Sequence, residues 1–152
     1  DQSSDFLFKC LHSAGFSNQP NSKHINDGLK LRNSYLTTAL KCVPPGDKPT
    51  VDELNTCFYY FKRETEYLNK VKIILTLGKI AFDACLKFYK ADYSIKNKDF
   101  VFSHGCKYKL PDKKILIGSY HPSPRNVNTG KIDFKKMVFL LSNIKKIIND
   151  KK

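Results

Sequence analysis

Apolar positions along the chain fall into blocks that alternate between a helical and an extended period. Phe6, Leu7, Cys10 and Leu11 recur at helical spacing after Ser3 and Ser4, with Gly15 placed to supply a left-handed stop, which predicts a first helix. The polar stretch from Ser17 to Gly28, with Pro20 and several asparagines, predicts a surface loop. "SYLTTALKC" is rich in β-branched and aromatic residues and predicts a strand ending at Cys42, which "VPPGDKPT" must break. Thr50 and Glu53 have capping-box spacing, Asp52 adds charge at the positive end of the helix dipole, and Leu54, Cys57, Phe58, Phe61 and Leu68 keep a helical period. A helix to about Asn69 follows. "VKIILTLG" is a short apolar run of the kind a doubly covered strand shows, and Gly78 opens directly into the helical "KIAFDACLKFY". "DFVFSHGCKYKLPDKKILIGSY" predicts a short strand, a turn around Gly105 and a buried strand at Ile115 to Gly118. A last helix from about Asp133 to Asn149 puts Met137, Leu140, Leu141, Ile144, Ile147 and Ile148 on one face with lysines opposite.

Alternating strands and helices predict an α/β fold with a mostly parallel sheet and right-handed crossovers. In such sheets, sites collect beyond the carboxyl ends of the strands. "KCVPPGDKPT" and "YHPSPRNVNTG" both stand there.

Composition narrows the function. At 152 residues and 41% apolar, the chain reads as one ordinary globular domain. Its 27 basic against 14 acidic side chains give a formal charge of +13, which favours polyanions, nucleic acid before acidic membrane. The lysines are scattered, so a solvated basic surface explains much of that charge by itself. No apolar run approaches the roughly 20 residues needed to span a bilayer, and no signal peptide opens the chain, so a cytoplasmic, nucleoid-associated protein is expected. Five widely spaced cysteines, an odd number, favour free thiols or metal ligands over a disulfide scaffold. The first residue is Asp1, at what looks like a helix N-cap, and a fragment is expected.

Candidate chemistry concentrates in "IGSYHPSPRNVNTG". Pro122 and Pro124 fix two φ angles and hold His121 and Ser123 in a stiff, projecting loop. Imidazole can steady a developing anion, Asn126 can read a polar edge, and Arg125 can meet phosphate or wedge beside a base. A proline-capped turn with a surface histidine is the plain alternative. Cys42 and Cys57 are too far apart for a CxxC clip; each is either a small buried hydrophobe or part of a metal site needing two more thiols.

Taken together and in this order, "YLTTALKCVPPGDKPTVDELNTC", "VKIILTLGKIAF", "FSHG" and "SYHPSPRNVNTG" resemble the uracil-DNA glycosylase superfamily, its iron-sulfur type-5 group first and its type-4 group next. The resemblance covers nearly the whole chain. It implies a three-layer sandwich around a mostly parallel four-stranded sheet, and a monofunctional enzyme that flips uracil or another deaminated base out of DNA and hydrolyses its glycosidic bond. His121 would stabilise negative charge on the uracil ring, Ser123 would contact phosphate, and Asn126 ends the same motif. Arg125 stands where relatives often place a leucine wedge. Cys42 and Cys57 match two of four thiolates that hold a [4Fe-4S] cluster. The partner implied is damaged DNA, bound by a monomer.

The same resemblance exposes departures. The family's first strand and its glycine-rich first motif lie upstream of Asp1, as do two cluster ligands, so a fragment without part of its pocket is expected. Relatives often have asparagine where Asp47 stands, and type-4 enzymes have it where Thr38 stands, which leaves base selectivity open. Two other classes remain: a non-catalytic DNA-binding relative, and a redox or zinc protein built on Cys42 and Cys57.

Overall fold

The computed structural model describes residues 1–41, 46 and 48–150. By backbone contacts they group into two compact units, one of residues 1–35 and 119–152, the other of residues 36–118.

In the first unit, α1 (Gln2–Ser13) is capped by Asp1, whose carboxylate accepts the Ser4 N–H at 2.7 Å. Asp1 is thus the N-cap that its place at the head of the helix suggested. The chain turns at Gly15, where φ is +79°. The final helix of the unit, Phe134–Asn149, matches the expected bounds to within one residue, and Asp133 caps it by accepting the Lys136 N–H at 2.8 Å. It packs on α1 and buries Met137, Leu140, Leu141 and Ile144, the face its spacing marks as apolar.

The second unit holds the helix α2 (Val51–Tyr67), the strand β1 (Ile73–Leu77), the helix α3 (Lys79–Asp92) and the strands β2 (Lys107–Lys109) and β3 (Ile115–Ser119), the last crossing into the first unit at Ser119. The capping box forms as expected: Glu53 accepts the Thr50 N–H at 2.8 Å and Thr50 accepts the Glu53 N–H at 3.2 Å. At Gly78 a φ of +99° turns β1 straight into α3. α3 lies on β1, α2 packs against α3, and the core is Phe82, Cys85, Leu86, Tyr89, Leu110 and Leu116.

Among the described residues the sheet is three-stranded and mixed, in the order β1-β3-β2, with β2 antiparallel to β3 in the register Tyr108 opposite Leu116. Alternation led to the expectation of a mostly parallel sheet and the resemblance to that of four strands; the described residues show the coarser α/β arrangement. The segment predicted as a strand ending at Cys42 is irregular over residues 34–41, and Cys42 lies outside the described residues. Tyr35 and Leu36 there are 56% and 42% exposed, so the β-branched and aromatic side chains that suggested a strand have no sheet face to pack on. The short strand before β3 falls after the Gly105 turn, because Lys107–Lys109 pairs across Pro111–Lys113 with β3 as a hairpin.

β3 is held on both sides. Ile115 donates to Lys72 O at 2.9 Å, the Gly118 N–H donates to Cys106 O at 3.0 Å, and the buried Thr76 hydroxyl donates to Ile117 O at 3.2 Å. A Cβ at Gly118 would stand 2.6 Å from Cys106 Sγ and 3.0 Å from Ser103 O, so only glycine fits. Gly118→Ala is therefore expected to cost about 1–3 kcal/mol of stability, read from the urea midpoint, with part recovered in the Cys106→Ala background. An unchanged midpoint would contradict this packing.

Candidate active site at the end of β3

Leu116 and Ile117 are buried at 0% and 3%, as is Ser119 at 0%, so the strand that delivers the candidate loop is fixed before the loop begins. Two residues later His121 emerges. The next five residues after Ser123 form a short helix, α4 (Pro124–Asn128), with proline at its first position and the Ser123 hydroxyl accepting the Asn126 N–H at 3.4 Å. In chain order the final helix is therefore α5 (Phe134–Asn149).

The loop is tied down at several points within the first unit. Asn126 Nδ2 donates to His121 O at 2.8 Å, a clamp that fixes the histidine backbone and leaves the imidazole nitrogens out of it. Pro122 is buried, Ile132 is fully buried, and Ile132 N–H reaches Asn126 O at 3.3 Å. The Lys136 ammonium donates to Gly130 O at 2.7 Å, and the Lys131 ammonium sits 6.0 Å from the centre of the Tyr120 ring. Arg125 is exposed.

His121 keeps an exposed edge, yet the protein crowding its other side disfavours the imidazolium and holds its pKa below the ordinary 6.5. At neutral pH the ring is then uncharged, one nitrogen donating and the other accepting. Such a ring can hydrogen-bond an anion as it develops without first losing a proton.

The structure brings His121, Ser123, Arg125 and Asn126 into one clamped turn. Thr38 is an exposed residue of the second unit, and Asp47, like Cys42, lies outside the described residues. Cys57 is buried at 5%, and Lys41 directs its backbone N–H at the Cys57 sulfur at 3.4 Å. Among the described residues no group of three or more His, Cys, Asp or Glu could hold a metal ion. Cys10 and Cys85 are buried thiols pushed up to about 11 and about 12 by burial, which suits core packing better than thiolate ligation. The described residues thus supply a single matching cysteine and do not by themselves make a four-thiolate site. No helix among them is long and apolar enough to cross a membrane.

One constellation escapes the sequence reading. Tyr59, Arg63 and Tyr67, with Tyr60, Glu64 and Lys41, line a groove of about 440 Å³ in the second unit, where Arg63 donates to the Tyr59 hydroxyl at 3.2 Å. The i, i+4, i+8 spacing of Tyr59, Arg63 and Tyr67 was the available signal.

The class of protein is now defined. Residues 1–145 match the model of the uracil DNA glycosylase superfamily, and the chain belongs to that superfamily, with its α/β fold. Within it the chain is similar to the type-5 uracil-DNA glycosylases of Thermus thermophilus, 36% identical over 147 residues, and Pyrobaculum aerophilum, 35% identical over 141. These alignments cover 97% and 93% of this chain but 65% and 59% of the relatives. The type-4 uracil-DNA glycosylase of Sulfurisphaera tokodaii is 32% identical over 121 residues, 72% of this chain and 52% of that protein. The chain thus spans about half to two thirds of the length of these relatives.

The low pKa of His121 has a measurable sign. Its imidazole should titrate below 6.5 by NMR. Acidification through that value protonates the unfolded chain before the folded one, so the stability contributed by the neutral ring is complete above it and is lost as pH falls. A midpoint at or above 6.5 would contradict the shielded site.

Proposed function

We propose that the full-length protein is a monofunctional DNA glycosylase that flips uracil out of DNA and hydrolyses its N-glycosidic bond, leaving an abasic site. The observation that carries this reading is the clamped turn after β3, which offers a neutral, pre-positioned imidazole at the end of a rigid strand. It is supported by membership of the superfamily and by relatives named for this activity.

In the proposed step the base leaves carrying developing negative charge. His121 donates a hydrogen bond to that charge, worth most where water is excluded and the donor does not reorganise. Asn126 fixes His121 through its carbonyl and presents its remaining amide atoms to polar groups. Ser123 and Arg125 meet the DNA backbone, which the +13 charge attracts in a salt-dependent way. Thr38 and Asp47 contribute to base selection, so other deaminated bases fall within the same chemistry. Cleavage stops at the abasic site, since lyase action needs a nucleophilic amine in the pocket and no lysine is required there.

By the same reading the protein acts as a monomer on DNA in the cytoplasm, and residues 1–152 belong to one domain. That last point is supported by a family match that runs across both compact units. Its sheet gains a fourth strand and becomes mostly parallel between two helical layers. Cys42 and Cys57 would supply two of the thiolates of a [4Fe-4S] cluster, and the Lys41 N–H, directed at the Cys57 sulfur, would be a hydrogen-bond donor to one of them. Such a cluster would supply structural cross-linking, and the glycosidic chemistry is assigned to His121.

The test is a labelled duplex with uracil opposite guanine, treated with full-length protein and then hot alkali. Strand scission is expected, reduced about a hundredfold or more in His121→Ala. Absence of scission from folded protein on uracil, hypoxanthine or xanthine would leave a DNA-binding relative as the better account. Separately, protein-bound iron and visible absorbance should be present and should fall in Cys57→Ala; stoichiometric zinc without colour would overturn the cluster assignment.

A further inference from the structure

The loop from Ser17 to Leu31 is far more ordered than its polar composition suggests. Its base closes through an isolated bridge between Ser17 and Leu31, with Arg32 N–H on Phe16 O at 2.8 Å and Asn18 N–H on Lys30 O at 3.1 Å. The Asn18 side chain staples the two limbs, donating to Gly28 O at 2.9 Å and accepting the Lys30 N–H at 2.6 Å. Nearer the tip, the Asp27 carboxylate accepts the Lys23 and Leu29 N–H groups at 2.6 and 2.9 Å. Those bonds hold its pKa below the usual carboxylate value. A turn closes the tip with Asp27 N–H on His24 O at 3.1 Å.

At the apex of this scaffold stands Ile25, 97% exposed. Turn tips usually carry glycine, proline, asparagine, aspartate or serine, each for a backbone reason, and isoleucine has none of those reasons. Here His24, Asn26 and Asp27 supply the turn chemistry, so the apolar side chain is not needed to build the loop. Its β-branch restricts χ1, which lowers the entropy lost when it is later buried. Along the stem, Lys23 near the tip and Lys30 and Arg32 at the base are exposed, and none is in a salt bridge among the described residues. The sole acidic residue of the loop, Asp27, is committed to backbone amides. An apolar tip on a rigid, basic stem matches what inserts between base steps while cations meet the flanking phosphates.

We propose that this finger is a second DNA-contacting element, in which Ile25 wedges into the groove beside the lesion and Lys23, Lys30 and Arg32 neutralise phosphates. The proposal rests on the glycosylase reading for its partner. It also accounts for a charged residue, Arg125, at the position where the resemblance leads one to expect an apolar wedge.

The test uses full-length protein and a duplex carrying a stable abasic-site analogue beside 2-aminopurine, whose fluorescence rises when its stack is broken. Wild-type protein and Ile25→Leu are expected to raise the fluorescence, and Ile25→Ala to lose most of the rise. Because Ile25 is almost wholly exposed, its truncation should leave the unfolding midpoint unchanged. Alanine at Lys23 and at Lys30 should each lower the salt slope of duplex binding by about one. An equal rise with Ile25→Ala, or none with wild type, overturns the finger. These readouts need no base excision, so a rise that depends on Ile25 without uracil release upholds the finger and sinks the enzyme instead.

Discussion

Among the described residues β3 is the middle strand of its sheet, between β1 and β2, with Ile115 bonded to Lys72 just before β1, Gly118 to the Gly105 turn, and Lys107 and Lys109 of β2 opposite Ile117 and Ile115. Leu116, Ile117 and Ser119 are buried, and Gly118 has no room for a side chain. Consecutive residues of this strand are buried, so both of its faces are packed and a slip of register would force each side chain into space shaped for its neighbour. The strand ends at the fully buried Ser119, and Tyr120, His121 and the two prolines follow it in the chain. Catalysis by a hydrogen-bond donor needs this kind of rigidity, since a donor that must be reoriented during the reaction gives back in reorganisation what it gains in attraction.

The turn beyond β3 is stiffened in a complementary way. Proline restricts φ, the Ser123 hydroxyl caps α4, and the Asn126 amide holds the His121 carbonyl. Backbone is held while the imidazole, Arg125 and the second amide atom of Asn126 are left to the partner. The finger between α1 and the bridge repeats the logic with different parts: side chains of Asn18 and Asp27 satisfy the backbone, and the apex residue is spared for contact. Both lie in the unit of residues 1–35 and 119–152.

Elements with their own start signals were the legible ones. The Thr50 and Glu53 box and the six apolar positions of α5 each specify a helix locally, and both helices are where those signals placed them. β1 and β3 were legible as short apolar runs next to glycine. The segment "SYLTTALKC" was misleading because β propensity measures fit to a pleated, half-buried surface, and residues 34–41 have no such surface here. The clamped turn was legible from its prolines and polar residues, while the Asn126 bond that organises it was not, being set by the turn geometry after Pro124. Ile25 carried no periodic signal at all. Its meaning comes from exposure at the tip of a hydrogen-bonded loop, which a linear pattern does not encode.

On the proposed function, the turn from His121 to Asn128 receives the flipped base. Hydrogen exchange of full-length protein, with and without a duplex carrying a non-hydrolysable uracil nucleotide, tests it at the level of individual amides. The account predicts new protection at His121 and through α4, with the strand amides of β3 slow in both states. Protection confined to other segments, with the His121 turn exchanging as in the free protein, would contradict it.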